Sequence, residues 1–301
     1  MYYWPTESRS VPLEDLGWVN TTYLATASAY CDPTMIWGTS IQTEALTQFV
    51  TDQKRETGAF ISTAHVLIRA VVEAMHRHPA VNRRVVGRRV YPYDGIHITM
   101  PMLETRSGEV NVIYLRHAEQ MSLVEISRYL MGKARDVAVR AATEANLQKK
   151  GSHVENRRYR WLKWFRSQWV YRMAKVGFFL TNRFRLPTTT LEEINGSGAF
   201  VNHLGFANAP PMISFKPSSL PTNSYGVSVT LGPAEMRPVA EGDAVVIRSV
   251  APLFVRLDHR LVNGYQAGEF IGTLRTTLQN PGGLVVPACD NQNQNANRTD
   301  G

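Results

Sequence analysis

The sequence has 301 residues, of which 44% are hydrophobic and 19% are charged, a composition typical of a globular protein with a substantial core. Its two cysteines exclude a framework of disulfide bridges, and no stretch approaches the roughly 18–20 apolar residues that cross a bilayer. No basic segment followed by an apolar run opens the chain, so we expect a cytoplasmic protein, at most peripheral to a membrane. The formal net charge of +8 is compatible with anionic partners.

The N-terminal part of the chain predicts strands followed by a helix. Residues 20–50 alternate apolar and polar positions, which favours strands. A helix is predicted from Thr63 to the His78-Pro79 step, because proline ends helices and the intervening apolar residues have helical spacing. These apolar positions are Val66, Leu67, Ala70, Val71, Ala74 and Met75.

Short strands and a second helix are expected next. The strand-like runs cover residues 88–93, 96–103 and 109–115. Ser122 and Glu125 form a capping-box pattern, in which each side chain satisfies a backbone N–H of the first helical turn. The pattern predicts a helix from this point to about residue 150.

Residues 156–185 form a basic aromatic segment, with nine basic and nine aromatic residues and no acidic one. One interpretation is an interfacial helix over residues 157–185, with tryptophans in a lipid surface and cationic side chains at the phosphates. Another is a helix packed on the protein or on a neighbouring subunit, its arginine stems covering apolar surface. Nucleic-acid binding is the least favoured, because no recognition motif accompanies the charge.

The C-terminal part returns to short strands and ends with a helix. Strands are expected at residues 199–204, 225–231, 244–247 and 252–257. A helix over residues 264–279 is stopped by Pro281, and the polar tail 286–301 is expected to be disordered. Strands and helices mix without regular βαβ spacing, so we predict an α+β fold with one domain over residues 1–285, interrupted by an insertion at about 150–190.

His259 lies where the last predicted strand meets the last helix. It stands between Asp258 and Arg260 and is followed by the turn Asn263-Gly264. A strand end can project a side chain into a cleft while the backbone holds it rigid. Spacing alone leaves open whether His259 is catalytic or structural, and Asp258 and Arg260 are interpreted as flanking charges that form a local ion pair.

The pattern Asp-His-Arg-x-x-Asn-Gly, with the helix after it, resembles the signature of dihydrolipoamide acyltransferases, the catalytic domains of 2-oxo acid dehydrogenase complexes. Chloramphenicol acetyltransferase shares the His-x-x-x-Asp-Gly part. Further similar segments extend the resemblance from about residue 20 to 281, at residues 66–82, 108–127, 201–205 and 225–238. The resemblance implies a chloramphenicol acetyltransferase-like two-layer sandwich, with helices packed on one face of a mixed sheet.

The resemblance also implies acyl transfer between coenzyme A and a thiol or hydroxyl acceptor, with His259 as general base. An imidazole titrates near neutrality, which suits removal of the acceptor's proton. Asn202 matches the family's serine, which stabilises the oxyanion. If the alignment shifts by one position, His203 takes this role instead of Asn202. Asn263 stands where an aspartate is usual. The family's arginine partner of that aspartate aligns with residues 11–17, which contain no arginine.

Family members form trimers with active sites between subunits, so the resemblance implies a homotrimer, or a larger assembly of trimers, in which His259 faces the Asn202 turn of the next chain. Coenzyme A or acyl-CoA would be a substrate, and no metal is expected. No lipoyl module is recognised in the chain, so a lipoyl or acyl carrier protein is an expected partner, unless the acceptor is another molecule. The alternative is a catalytically silent scaffold or binding module, which Asn202 and Asn263 favour and His259 opposes.

Overall fold

The computed structural model describes residues 34–86, 89–103, 110–150, 197–205 and 226–284, together with Trp169, Arg172 and Val176. The expectations for residues 11–33 and for the tail 286–301 lie outside these residues. The division into one domain with an insertion stays a prediction.

Nine strands are assigned within the described residues, and seven of them form one sheet. They are β1 Thr34–Gln42, β2 Arg83–Val86, β3 Arg89–Pro92, β4 Ile98–Leu103, β5 Val110–Leu115, β6 Ala199–His203, β7 Val227–Leu231, β8 Glu235–Glu241 and β9 Ala244–Asp258. The large sheet has the order β1-β9-β7-β6-β4-β5, and β8 pairs with β9. Strand β6 runs parallel to β4 and β7, while the other pairs are antiparallel, so the sheet is mixed. Strands β2 and β3 form a separate hairpin.

Strand β9 connects most of this sheet. Its first half pairs with β8 and its second half pairs with β1 on one side and β7 on the other. The sequence predicts two strands here, at 244–247 and 252–257, but the structure has one continuous strand of 15 residues. Polar Arg248 and Ser249 interrupt the apolar run without ending the strand, because β8 continues to pair with both of them.

The longer helices are α1 Glu44–Thr57, α2 Thr63–Arg77, α3 Leu123–Lys150 and α4 Gly264–Gln279. Helix α2 is buried without a break from His65 to Met75, as expected of a helix enclosed by the fold. It contacts α1, α3 and α4, and it packs on β6, while α4 contacts β1. These helices form the second layer, and the predictions of α2, α3 and α4 are confirmed.

Helix α1 corrects the strand-rich prediction for residues 20–50. Among the described residues of this range, 34–42 form a strand and a helix begins at Glu44. Leu46, Val50 and Gln53 are buried at helical spacing, which the alternation of the preceding strand conceals in the sequence. The helix ends at Gly58, which adopts a left-handed φ of 64° and donates its N–H to the Lys54 carbonyl.

Candidate active site

His259 lies in a tight turn between the end of β9 and the start of α4. Asp258 is the last residue of β9, and its carbonyl accepts the amide N–H groups of Leu261 at 3.0 Å and Val262 at 3.3 Å. Leu261 and Val262 are buried while His259 is half-buried. The turn therefore anchors the chain after His259 in the core and leaves the imidazole partly accessible to solvent.

A buried ion pair brackets His259. Arg260 donates its Nε–H to Asp258 Oδ1 at 2.9 Å and its Nη2–H to Asp258 Oδ2 at 2.6 Å. The Arg260 amide also donates to Asp258 Oδ1, at 2.9 Å. Only 3% of the arginine side chain and 1% of the aspartate side chain are exposed. The predicted local ion pair is present, and it is buried rather than a surface feature, which ties the residues before and after His259 to each other.

The turn rests on the start of β7. The Asp258 amide donates to the Gly226 carbonyl at 3.1 Å. A Cβ atom on Gly226 would lie 2.2 Å from the Val81 carbonyl oxygen and 3.4 Å from Leu261 Cδ1. Only glycine fits there, because the His-Pro-Ala-Val-Asn segment after α2 approaches the backbone too closely for a side chain. Two segments distant in sequence, the start of β7 and the segment after α2, thus support the turn that holds His259.

Asn263 caps the helix that follows. Its Oδ1 accepts the Gln266 amide N–H at 2.9 Å, and Gln266 Oε1 accepts the Asn263 amide N–H at 3.1 Å. This capping box satisfies two of the backbone donors that a helix N-terminus leaves open. The carboxamide oxygen of Asn263 is therefore engaged by α4, and its NH₂ group is the donor of this side chain.

Asn202 and His203 lie far from His259 within one chain. Both residues are near the end of β6, and the register places Asn202 level with Thr230 of β7 and Phe254 of β9. Asp258 is four residues further along β9, so the backbones of Asn202 and Asp258 are separated by about 13 Å along the strands and about 10 Å across them. Within a single chain, the structure therefore does not bring Asn202 close to His259.

His203 is half-buried at this far end of β6, and burial lowers the pKa of its imidazole. Desolvation penalises the cationic form, so the neutral ring is favoured. The next residue, Leu204, donates its amide to the Leu231 carbonyl at 2.9 Å, which fixes the backbone beside it. A neutral imidazole offers both a donor and an acceptor nitrogen.

A second group of polar side chains has no counterpart among the predicted site residues. Asp94, His97 and His117 each place one potential ligand atom within 4.8 Å of the others. They are separated by up to 23 residues in sequence and show no recognised ligand spacing, and only the pairing of β4 with β5 brings them together.

Residues 25–156 and 180–286 match the sequence model of the family described as 2-oxoacid dehydrogenases acyltransferase (catalytic domain). The chain belongs to this family. A curated relative is the dihydrolipoyllysine-residue acetyltransferase component of the acetoin cleaving system of Bacillus subtilis, 24% identical over 229 residues, which are 76% of this chain and 44% of the relative. The chain thus spans less than half the length of this relative.

The fold is that of solved acyltransferases. The dihydrolipoamide acetyltransferase of Azotobacter vinelandii, solved to investigate the catalytic role of a serine, a histidine and an asparagine, has a TM-score of 0.57, with 17% identity and coverage of 89% of this chain and 90% of that one. The cubic core of the pyruvate dehydrogenase multienzyme complex gives 0.56, with 18% identity and coverage of 88% and 89%. Chloramphenicol acetyltransferase gives 0.51, with 13% identity and coverage of 89% and 98%.

These matches confirm the predicted family resemblance and the chloramphenicol acetyltransferase-like fold. The two matched parts of the family leave residues 157–179 unmatched, within the basic aromatic segment. Across the part of the chain that the structure describes, no helix combines the length and apolar character needed to cross a membrane.

Proposed function

We propose that the protein is an acyltransferase that moves an acyl group between coenzyme A and a thiol or hydroxyl acceptor, with His259 as the general base. The observation that carries this proposal is the position of His259, partly accessible in a turn held by a buried ion pair, in a chain of the acyltransferase family. A base at a rigid strand end can be held within hydrogen-bond reach of an acceptor group.

The chemistry requires the acceptor to lose a proton as it attacks the thioester carbonyl. The His259 imidazole takes this proton, and the resulting imidazolium returns it to the coenzyme A thiolate when the tetrahedral intermediate collapses. Such acid–base catalysis typically contributes about 10²–10⁴ in rate. Replacing His259 by alanine is therefore expected to lower kcat by at least this factor without unfolding the protein.

Asp258 and Arg260 act as positioning residues in this proposal. Their ion pair is closed by four contacts between the two residues, one of which uses the Arg260 backbone amide. The backbone on both sides of His259 is consequently fixed, which limits the directions that the imidazole can take. Loss of this pair would lower kcat by misplacing the base, since small misplacements of a catalytic group reduce the rate strongly.

Asn263 is compatible with activity. The histidine and asparagine investigated in the Azotobacter vinelandii enzyme lie four positions apart, the same spacing as His259 and Asn263. This match supports Asn263 as a donor near the reacting groups, in addition to its role as the cap of α4. The same spacing supports an active enzyme with asparagine in place of aspartate.

The oxyanion donor is proposed to be Asn202 of a neighbouring subunit. Within one chain, Asn202 and His259 lie near opposite ends of the sheet, so a shared site requires a second copy of the chain. A rotationally symmetric trimer brings the two ends of neighbouring chains together at every interface. The Asn202 NH₂ would then donate to the oxyanion, a contact typically worth about 2.7–4 kcal/mol. A lipoyl or acyl carrier protein remains the proposed source of the acceptor thiol.

The first experiment follows the release of the coenzyme A thiol from acetyl-CoA and longer acyl-CoA in the presence of thiol and hydroxyl acceptors. Wild type is compared with His259→Ala, and with His76→Gln as a matched control that removes an imidazole outside the proposed site. We expect turnover by wild type and by the control only. Equal rates in wild type and His259→Ala, or coenzyme A that neither binds nor reacts, would support the scaffold instead.

The basic aromatic segment is proposed to dock on an anionic membrane surface. Trp169, Arg172 and Val176 are helical and exposed, and their spacing of three and four residues places them on one face of a helix. A face that presents an indole, a guanidinium and an apolar side chain suits the region between lipid headgroups and acyl chains.

Co-sedimentation with vesicles tests this docking. Wild type should pellet with vesicles that contain anionic lipid, less so with zwitterionic ones, and binding should weaken as salt is raised. The Trp161→Ala/Trp164→Ala variant should stay in the supernatant. The absence of lipid-dependent pelleting in wild type would reject the docking and favour a helix packed on protein.

A further inference from the structure

Three side chains converge at a place that the proposed acyl transfer does not use. Asp94 precedes β4, His97 is the residue directly before β4, and His117 follows β5, the neighbouring strand. One carboxylate oxygen of Asp94 and one ring nitrogen of each histidine lie within 4.8 Å of one another. From this geometry we propose that Asp94, His97 and His117 form a binding site for a divalent transition-metal cation of the zinc class.

The donor set fits this class of cation. Two imidazole nitrogens and one carboxylate oxygen are ligands that Zn²⁺ accepts, and three protein ligands leave a fourth position for water. Asp94 is exposed, His117 is half-buried and His97 is buried, so the site opens toward solvent on the aspartate side. A cation could enter from that side without unfolding the chain.

The surroundings are arranged around these ligands. Glu119 contacts His117 Nδ1 through Oε1 at 3.3 Å, and its Oε2 accepts the Ile96 amide N–H at 2.8 Å. A carboxylate behind a histidine ligand orients the ring and raises its basicity. A Cβ atom on Gly95 would lie 2.4 Å from His117 Nδ1, so the absence of a side chain there lets His117 approach.

The proton on His97 decides how a cation is accommodated. His97 Nδ1 accepts the His117 amide N–H at 3.1 Å, which leaves the ring proton on Nε2, where it is donated to Asp94 Oδ1 at 2.8 Å. A cation bound at Nε2 displaces that proton and requires a proton on Nδ1. The His117 amide would then face another donor.

A flip of the peptide bond between Arg116 and His117 would remove this conflict between two donors. The Arg116 carbonyl would then accept the Nδ1–H of His97, the arrangement usual for a histidine that binds a metal. His117 now has φ 50° and ψ 47°, and among the described residues it is the one non-glycine residue with positive φ. Such a conformation stores strain. The peptide flip would release this strain and so offset the loss of the hydrogen bond from the His117 amide to His97 Nδ1.

The site is tested on the full chain without a polyhistidine tag, after treatment with a chelator. Zn²⁺ binding is measured by calorimetry, and Co²⁺ serves as a probe because its visible absorption reports coordination by nitrogen and oxygen. We expect one cation per chain and a rise in Tm on loading. Asp94→Asn, His97→Gln and His117→Asn should each weaken binding at least tenfold, with asparagine chosen at 117 because it tolerates left-handed φ.

His76→Gln is the control, because it removes an imidazole outside the group and should leave binding unchanged. Each variant is first compared with wild type by its cation-free Tm, and Asp94→Asn, a change at an exposed residue, decides the outcome if a histidine variant fails to fold. Saturable binding that is lost in the three variants and kept in the control supports the site. The absence of saturable binding, or equal binding in wild type and Asp94→Asn, overturns it. Neither result depends on acyl transfer.

Discussion

At the scale of single residues, the buried pair formed by Asp258 and Arg260 predicts a large loss of stability when one of its charges is removed. Replacing Arg260 by methionine leaves the Asp258 carboxylate buried without its main partner, which typically costs about 3–5 kcal/mol. We therefore expect the free energy of unfolding to fall by about this amount in urea titrations.

The double variant Asp258→Leu/Arg260→Met provides the control, because removing both charges avoids the uncompensated one and should recover much of the loss. Its kcat should nevertheless stay below that of wild type, since the turn that aims His259 is no longer tied. Wild-type stability in the single variant would show that the pair does not hold the turn.

His65 gives a second prediction at this scale, for stability against pH. Burial lowers the pKa of His65 from 6.5 to about 4. The unfolded state therefore binds more protons between these values, so the stabilisation is complete above pH 6.5 and is lost as pH falls toward 4. The span corresponds to roughly 3 kcal/mol.

The matched variant is His65→Gln. His65 Nδ1 lies 2.9 Å from both the amide nitrogen and Oγ of Ser62 at the start of α2, and a glutamine at this position can accept the same amide N–H without titrating. Urea unfolding at pH 7 and pH 4.5 should show a difference in stability that is smaller in His65→Gln than in wild type by roughly 2–3 kcal/mol. The same difference in both proteins would mean that His65 does not titrate in this range.

At the scale of elements, alanine substitutions at two glycines should change stability in opposite directions, one through close packing and the other through helix propensity. Gly226 lies at the start of β7 against the Val81 carbonyl, so Gly226→Ala forces the turn after α2 away from the sheet and should destabilise the protein by about 1–3 kcal/mol. Gly272 lies in α4, and a Cβ atom there would meet nothing within 4 Å outside its own helix backbone, so Gly272→Ala should stabilise by about 0.5–1 kcal/mol.

Thermal and urea unfolding of the two variants measure this contrast. Because Gly226 also supports the turn of His259, kcat should fall in Gly226→Ala and stay unchanged in Gly272→Ala. Opposite signs of the two stability changes are required, and equal destabilisation would contradict the packing assigned to Gly226.

The helices show how far local sequence predicts elements. The boundaries of α2 and α4 follow from proline, capping residues and helical spacing, and the structure confirms both helices. Helix α1 escapes prediction, because its buried residues are few and include Gln53, so the apolar period is weak. Strand β8 escapes prediction too, because its side chains are mostly exposed and only its pairing with β9 makes it a strand.

At the scale of the whole molecule, the separation of Asn202 from His259 predicts complementation between chains. His259→Ala and Asn202→Ala, each nearly inactive alone, would regain activity when co-expressed. A site needs an intact His259 from one chain and an intact Asn202 from the next, so a random mixture should have about a quarter of the wild-type sites.

Activity of the mixture, per chain, measures this outcome, and the oligomeric state is checked by light scattering. Mixing His259→Ala with wild type serves as the control, since it dilutes sites without restoring any. Activity no higher than the sum of the two separate variants would show that the site does not form between chains.

Local sequence is enough to locate the proposed base, because a histidine between an acid and an arginine, followed by Asn-Gly and an amphipathic helix, is a pattern of neighbouring residues. It is also enough for α2, α4 and the family, since these rest on spacing along the chain. The packed structure was needed to show that Asp258 and Arg260 are buried against each other, that Asn202 and His259 lie far apart in one chain, and that Asp94, His97 and His117 meet. Burial, strand register and convergence depend on segments distant in sequence, which only the sheet and its helices bring into contact.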